Sequence, residues 1–277
     1  METTVSLEDL NSSFEALRLE IGADRVVAVM DRPQSRNAID QQMIDEFHAL
    51  CEHLEREPRI LIITGTEVVT PAKDGGEEKR RGIFASGADI GQLRERRRED
   101  ALRGVNSNAF DRIHRLPMPV IAAIDGFALG GGAELAYAAD FRIATPSLKM
   151  GQPEAGLGIT AAAGAQWRLK ELVGEPIALD LLLTGRILDA EEALRLNLVT
   201  ELHEPTELLG AAHALADRIA AQDPLAIRLS KRVFHMPREA HPAIDDIAQA
   251  ITFESQAKFD RMQAFLDRSK SRSKGDK

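Results

Sequence analysis

The 277-residue sequence contains one cysteine, Cys51, and therefore cannot form a disulfide within the chain. No His or Asn motif surrounds Cys51, so it is interpreted as a structural thiol, and the composition is compatible with a reducing compartment. Residues 1–13 (METTVSLEDLNSS) have neither the basic nor the apolar stretch of a secretory signal. No later segment approaches the ~20 uninterrupted apolar residues of a membrane span. These absences predict a cytoplasmic protein without a membrane partner.

Three kinds of binding motif are also missing. The seven histidines form neither H-E-x-x-H nor another ligand-spaced pair, so no metal is expected. G-x-G-x-x-G is absent from residues 126–134, and no Gly-Lys-Ser or Gly-Lys-Thr occurs, which argues against a dinucleotide fold and excludes a Walker A loop. The net charge of −9 argues against a broad nucleic-acid footprint. The Arg-rich run RERRRED (94–100) is interleaved with acids and is interpreted as a solvated helix face.

What is present is an alternation of apolar strands and amphipathic helices. Strands are predicted over 25–33, 59–65, 119–126 and 140–145, and a helix capped by Asp40 over 40–54. This alternation indicates an α/β core. From residue 161 onward the pattern is one of amphipathic helices, with no core strand predicted after about residue 199. The polar segment 66–82, punctuated by Pro and Gly-Gly, is predicted to be a mobile surface loop.

Two glycine-rich elements each follow an apolar strand, FASGADI (84–90) and LGGGAEL (129–135). Glycine lets the backbone approach a ligand closely, and a helix start leaves amide N–H groups unpaired. If two such turns meet, their amides can converge on one oxygen, as a developing thioester enolate requires. The alternative is that the glycines only permit tight strand-to-helix turns.

Two carboxylates accompany these turns. Glu134 lies at the start of the helix opened by the glycines, and Glu154 follows the next strand in the turn-like MGQPEAGLG. Singly, each is explained as a first-turn carboxylate or a loop charge. Together, one can take a proton from water while the other delivers one to carbon, if both face one pocket.

Four segments then match a known pattern: DRPQSRNAID (31–40), FASGADI (84–90), DGFALGGGAELAYAADFRIAT (125–145) and MGQPEAGLGIT (150–160). In order and spacing they resemble the crotonase superfamily, the enoyl-CoA hydratases and isomerases, with detailed resemblance over 26–199. The resemblance implies an α/β fold, a spiral of β-β-α units followed by a helical C-terminal region that trimerises, commonly as a dimer of trimers. The implied domains are a catalytic spiral core at 1–199, a helical region at 200–270 and a disordered tail at 271–277.

The resemblance also implies site residues. The backbone N–H groups of Ala88 and Gly131 would form the oxyanion hole around the thioester carbonyl. Glu134 would activate the water that attacks C3, and Glu154 would supply the proton to C2. Having both acids favours an enoyl-CoA hydratase, whereas isomerases often keep one. The alternatives are an enoyl-CoA isomerase, an enzyme of another acyl-CoA reaction on the same fold, or a non-catalytic RNA-binding homologue.

The substrate would be an acyl-CoA thioester, and no cofactor is expected because coenzyme A is part of that substrate. The remaining residues expected to bind it are Ser86, through its backbone carbonyl, together with Asp89, Gly130, Arg32 and Arg36. The cations expected at the coenzyme phosphates depart from the family pattern, since Gly91 and Gln34 replace frequent lysines. Arg32, Arg36 or Lys258 from a neighbouring subunit would then serve.

Two further departures from the family pattern occur. The run TAAAGAQWRL (160–169) carries alanines where glycines and proline are usual, which is expected to narrow the acyl pocket. Its Trp167 is predicted to be a core residue. The insertion at 66–82 precedes Ala88 closely enough to cover the coenzyme site, although a passive surface loop is the default.

Overall fold

The computed structural model describes residues 5–70 and 79–275, with side chains described between 5 and 268 except at 70 and 79. Within this part of the chain the strands are β1 (Leu17–Ile21), β2 (Arg25–Met30), β3 (Ile60–Gly65), β4 (Glu67–Thr70), β5 (Lys79–Ala85), β6 (Val120–Ile124), β7 (Phe127–Leu129), β8 (Phe141–Ala144), β9 (Lys149–Gly151), β10 (Ile187–Asp189) and β11 (Glu201–Leu202). The helices are α1 (Leu7–Ser13), α2 (Gln41–Arg56), α3 (Ile90–Glu95), α4 (Arg98–Arg103), α5 (Val105–His114), α6 (Gly131–Ala138), α7 (Lys170–Val173), α8 (Glu175–Thr184), α9 (Ala190–Arg195), α10 (Pro205–Ala220), α11 (Pro224–Phe234), α12 (Ala243–Phe253) and α13 (Gln256–Gly275). The predicted α/β class is confirmed.

The apolar strands pair in a six-stranded sheet with the order β1-β2-β3-β6-β8-β11. β1 and β2 are antiparallel, and the other neighbours in this sheet run parallel. Every residue of β6 is buried, as expected for a parallel strand that is covered on both faces. The predicted strands therefore appear as β2, β3, β6 and β8, each slightly shorter than predicted.

Helix α2 shows why the predicted 40–54 segment folds as it does. The Asp40 side chain accepts a hydrogen bond from the Met43 amide at 2.9 Å and caps the helix. The apolar residues that recur at helical spacing in this segment are all buried: Met43, Ile44, Phe47, Leu50 and Leu54. Arg112 of α5 forms an ion pair with Glu55 at 2.7 Å and so links the two helices.

A second sheet has five strands in the order β10-β9-β7-β5-β4. In it β7 runs parallel to both β5 and β9, with Ala128 opposite Ala85 and Leu129 opposite Gly151. Three parallel strands therefore end together, and the segments that follow them leave the sheet at one edge. Those segments are the two glycine-rich elements and the turn that carries Glu154.

The structure differs from the sequence prediction in four places. The 66–82 segment is not a loop throughout, because β4 and the start of β5 pair as antiparallel strands; residues 71–78 lie outside the described residues. The Arg-rich run is not one helix, since α3 ends before Arg96 and α4 begins after Arg97. A short strand after residue 199, β11, adds parallel to β8. Helix α13 continues to Gly275, past residue 271, where the disordered tail was predicted to begin.

The chain divides into two compact units, residues 1–218 and 219–277. The first contains both sheets and the buried core. The second consists of helical segments, and several of its large apolar side chains are exposed in the single chain: Phe234, Ile247, Ile251, Phe253, Phe259, Met262 and Phe265.

Candidate active site

A cavity of about 550 Å³ opens at the sheet edge where β5, β7 and β9 end. Its walls include residues from all three of the segments that follow these strands. They are Ser86, Gly87, Ala88, Gly130, Gly131, Glu134, Pro153 and Glu154. The two predicted acids and the two predicted oxyanion amides therefore lie around one space, which the spacing of the sequence could not establish.

The amides of Ala88 and Gly131 belong to backbone segments that approach each other closely. A Cβ atom placed on Gly131 would lie 3.4 Å from the Ala88 nitrogen. Gly87, with φ of +113°, turns the chain so that its carbonyl accepts a hydrogen bond from the Ile39 amide at 2.8 Å. Among the described residues, the Ala88 amide has no backbone acceptor. Gly131 is the first residue of α6, where an amide has no partner within the helix. Both N–H groups are thus available to a ligand oxygen.

Glu134 is buried, with 3 % of its surface exposed, and one of its carboxylate oxygens is anchored. Oε1 accepts hydrogen bonds from the amides of Ala163 at 2.7 Å and Ala165 at 3.1 Å. Among the described residues Oε2 accepts none, so this oxygen is available to a ligand in the cavity. Burial raises the pKa of Glu134 from 4.5 to about 7, and the amides of Ala165 and Ala163 and the charge of Arg168 limit the increase. A carboxylate with a pKa near 7 suits a general base.

Glu154 begins a 3-10 turn, Glu154–Leu157, at the end of the third segment. Burial raises the pKa of its carboxyl group. In the amide orientation that satisfies both its oxygen and its nitrogen, Gln152 donates to the two carboxylate oxygens of Glu154 at 3.2 and 3.0 Å. Gly130 has φ of +51°, and a Cβ atom there would lie 2.6 Å from the Glu154 Oε1. A side chain at residue 130 would therefore displace the carboxylate, so glycine is required.

Comparison with known proteins assigns this arrangement to a family. The family model described as enoyl-CoA hydratase/isomerase matches residues 22–275. The chain belongs to the enoyl-CoA hydratase/isomerase family. It is 35 % identical over 255 residues to the short-chain-enoyl-CoA hydratase of Clostridium acetobutylicum, covering 88 % of this chain and 92 % of that one. It is also 35 % identical over 267 residues to the crotonyl-CoA hydratase of Syntrophomonas wolfei, covering 94 % and 98 %.

Solved structures of the family share the fold. An enoyl-CoA hydratase from Bacillus anthracis has a TM-score of 0.82 at 27 % identity, covering 92 % of this chain and 97 % of that chain. A putative enoyl-CoA hydratase from Thermobifida fusca, in complex with CoA, has a TM-score of 0.77 at 26 % identity, covering 93 % and 100 %. The crotonase-like fold predicted from the sequence motifs is thereby confirmed.

Three of the residues predicted to bind the substrate are not part of the cavity lining in this enoyl-CoA hydratase/isomerase family member. The Arg32 guanidinium forms ion pairs with Asp40 at 2.9 Å and Asp89 at 3.8 Å. Asp89 caps α3 by accepting a hydrogen bond from the Gln92 amide at 3.1 Å. Both side chains therefore link the segment around Ala88 to neighbouring parts of the chain. Arg36 is exposed and outside the cavity lining, whereas the predicted Ser86 and Gly130 line it.

Sequence reasoning missed the turn that holds Glu134. Residues Ala165–Leu169 form a π-helical turn after Gly164, which has φ of +143°. Such turns are rare in proteins, and where they occur they are often part of a functional site. Arg168 of this turn is buried, donates to Asp111 at 3.1 Å, and leaves Nε and Nη1 without a partner in the described structure. Trp167, predicted to be in the core, is 43 % exposed and has the Arg168 guanidinium 5.0 Å from its ring centroid.

Three further observations concern metal ligands, membrane-spanning helices and the cysteine. Within the described residues, no group of three or more histidine, cysteine or acidic side chains is arranged to bind a metal ion. No helix in the same part of the chain is long and apolar enough to cross a membrane. Cys51 is buried, and burial raises the pKa of its thiol to about 12, so a structural thiol fits and a nucleophile does not.

Proposed function

We propose that this protein is an enoyl-CoA hydratase, a hydro-lyase that reversibly adds water across the 2,3 double bond of an enoyl-CoA thioester. The observation that carries the proposal is the shared cavity, which is lined by Glu134, Glu154 and the segments bearing the Ala88 and Gly131 amides. Two curated relatives at 35 % identity are named as hydratases of short-chain enoyl-CoA and crotonyl-CoA.

The proposed mechanism assigns one step to each group. The thioester carbonyl oxygen accepts hydrogen bonds from the Ala88 and Gly131 amides, which stabilise the negative charge that develops when C3 is attacked. Removing one such donor typically costs about 10²–10³ in kcat. Glu134 takes a proton from water through its available oxygen as the water oxygen bonds to C3. Glu154 gives its proton to C2, which balances the addition.

The raised pKa values support these roles. Glu134 must be ionised to accept a proton, and with a pKa of about 7 it is ionised in about half of the molecules at neutral pH. Glu154 must be protonated to donate, and burial raises its pKa toward that state. The Gln152 amide holds the Glu154 carboxyl in place in the orientation described above.

The test uses crotonyl-CoA with the wild type and the Glu134→Gln and Glu154→Gln variants. Loss of the conjugated enoyl absorbance with gain of one water by mass, abolished in both variants, supports the proposal. Isomerisation without added water would assign the protein to the isomerases instead. Wild-type protein that neither hydrates nor isomerises, with variants indistinguishable from it on other acyl-CoA thioesters, would refute the proposal.

We also propose that the protein acts as a homotrimer or dimer of trimers in the cytoplasm and needs no cofactor beyond its substrate. Exposed apolar side chains on α12 and α13, such as Ile251 and Phe265, support association. A single buried cysteine fits a reducing compartment. Sedimentation velocity should give a trimer or hexamer mass, and a monomer at micromolar concentration would contradict the assembly.

A further inference from the structure

The break between α3 and α4 brings two arginines of the Arg-rich run to the cavity. Arg96 and Arg97 both line it, on the wall formed by the segment between α3 and α5. The neighbouring Arg98 instead forms an exposed ion pair with Glu99 at 2.8 Å. A cavity that only had to accept a hydrocarbon chain would not need cations in its wall.

The Arg96 guanidinium is half-buried, and among the residues that the structure describes it has one hydrogen-bond partner, the side-chain oxygen of Asn106, at 2.8 Å. Among the described residues no carboxylate lies within 4.0 Å of it, in contrast to Arg98 and Arg103. Asp100 also lines the cavity, but its carboxylate is already engaged. It accepts a hydrogen bond from the Arg97 amide at 2.9 Å and forms an ion pair with Arg103 at 3.3 Å. Within the part of the chain that the structure describes, no carboxylate neutralises the positive charge of Arg96.

Asn106 connects Arg96 to the oxyanion hole. Its Nδ2 lies 3.8 Å from the position that a Cβ atom on Gly131 would occupy, the same position that is 3.4 Å from the Ala88 nitrogen. Because Arg96 donates to Oδ1, the amide nitrogen of Asn106 is turned toward the oxyanion amides. Adding the width of one amide group to these contacts places the Arg96 guanidinium within about 9 Å of that Cβ position on Gly131, which adjoins the oxyanion amides.

We propose that this site takes enoyl-CoA thioesters whose acyl chain carries a carboxylate at its far end, and that Arg96 recognises that carboxylate. The inference rests on the hydratase function proposed above and specifies its substrate class. With C–C bonds of about 1.5 Å, a chain of about five or six carbons has a length of the same order as this bound, so we take such chains as the first candidates. Arginine is suited to this role because its N–H groups match a carboxylate in a bidentate pair.

The geometry favours the acyl chain over the coenzyme phosphates as the partner of Arg96. The phosphates are separated from the thioester by the whole pantetheine arm, so they would meet Arg96 only if that arm folded back toward the thioester, whereas the acyl chain begins at the thioester itself. Glu134 and Glu154 also line the cavity, but in the proposed mechanism they act at C2 and C3, so the chain separates them from a carboxylate at C5 or C6.

The test compares chains of equal length with and without the carboxylate, 2-hexenedioyl-CoA against 2-hexenoyl-CoA and 2-pentenedioyl-CoA against 2-pentenoyl-CoA. For the wild type we expect kcat/KM to favour at least one carboxylate substrate by about tenfold or more. Arg96→Gln should reduce that preference by about ten- to a hundredfold, and Arg96→Lys should reduce it less. The control is Arg94→Gln, an exposed arginine of α3 outside the cavity lining, which should keep the wild-type preference.

A binding measurement separates this inference from the hydratase proposal. Dissociation constants of adipoyl-CoA, hexanoyl-CoA and free CoA are measured by calorimetry for the wild type and Arg96→Gln. If no thioester is hydrated, the hydratase proposal fails, and tighter binding of adipoyl-CoA that is lost in Arg96→Gln would still support recognition of the carboxylate. Three results would overturn it: no wild-type preference for carboxylate chains, an equal loss for both chain types in Arg96→Gln, or weaker binding of free CoA in that variant.

Discussion

Replacing Glu134 by glutamine should increase the stability of the protein, and the gain should grow with pH. Glutamine keeps an oxygen that can accept the hydrogen bonds from the Ala163 and Ala165 amides, and it cannot ionise. In the wild type, burial makes the charged form of Glu134 costly and raises its pKa from 4.5 to about 7. Because the folded protein then holds this proton more tightly than the unfolded chain, wild-type stability falls as pH rises between these values.

The size of the effect follows from the pKa shift. One pKa unit corresponds to about 1.4 kcal/mol, so ionised Glu134 costs the folded state about 3 kcal/mol at pH 9 relative to an exposed carboxylate. Below pH 4.5 this cost is absent. The quantity to compare is the unfolding free energy of Glu134→Gln minus that of the wild type. This difference should be constant at low pH and should be about 3 kcal/mol larger by pH 8–9.

The assay is urea unfolding at fixed protein concentration from pH 4 to pH 9, since association would make stability depend on concentration. Glu154→Gln should change stability in the same direction with a smaller gain, because burial also raises the pKa of Glu154, which is more exposed. Glu201→Gln supplies a control of opposite sign. A hydrogen bond with His203 lowers the pKa of Glu201, so removing the carboxylate should reduce stability near pH 7, and this loss should become smaller as the pH falls from 4.5 through the lowered pKa; for this variant the series is extended below pH 4.

A pH-independent difference between Glu134→Gln and the wild type would refute the reasoning. It would mean that the Glu134 carboxyl titrates alike in the folded and unfolded states. Its assignment as a base with a pKa near neutrality would then lose its physical basis.

Three further outcomes are expected. The wild-type kcat/KM for crotonyl-CoA should rise with pH, with a midpoint near pH 7, as Glu134 loses its proton. Arg168→Met should move that midpoint to higher pH, because the positive charge of Arg168 lowers the pKa of Glu134. An unchanged midpoint would mean that Arg168 has a purely structural role. Gly130→Ala should reduce stability by about 1–3 kcal/mol in thermal unfolding and also lower kcat. Residue 130 has a positive φ, and the new Cβ atom would lie 2.6 Å from the Glu154 Oε1. Wild-type stability and kcat in this variant would show that the turn adapts. Cys51 should react with a disulfide reagent only as fast as the protein unfolds, since the thiol is buried and its pKa is about 12, and rapid modification of folded protein would contradict its structural role.

Local patterns in the sequence were sufficient for the elements that carry the site. The continuous apolar runs at β3 and β6 predict buried strands. The Asp40 cap, followed by apolar residues at helical spacing, predicts α2. The glycines at 130–132 and the acids at 134 and 154 could be singled out because their chemistry requires those residue types. Their order along the chain also carried the family resemblance, which the family model then confirmed.

Other features depend on which segments meet in space. Trp167 has a large apolar side chain of the kind found in cores, yet the π-helical turn leaves it partly exposed and buries Arg168 instead. In this conformation the Ala163 and Ala165 amides face Glu134. Arg32 looked like a free cation until the fold placed it between Asp40 and Asp89. Arg96 belonged to a run that resembled a solvated helix face, and only the break before α4 directed it to the cavity. The sequence by itself determined four strands of the larger sheet, helix α2 and the chemical groups of the site, since these follow from local periodicity and residue type. The tertiary structure alone decided which charges are neutralised and which face the cavity, since that depends on contacts between residues far apart in the chain.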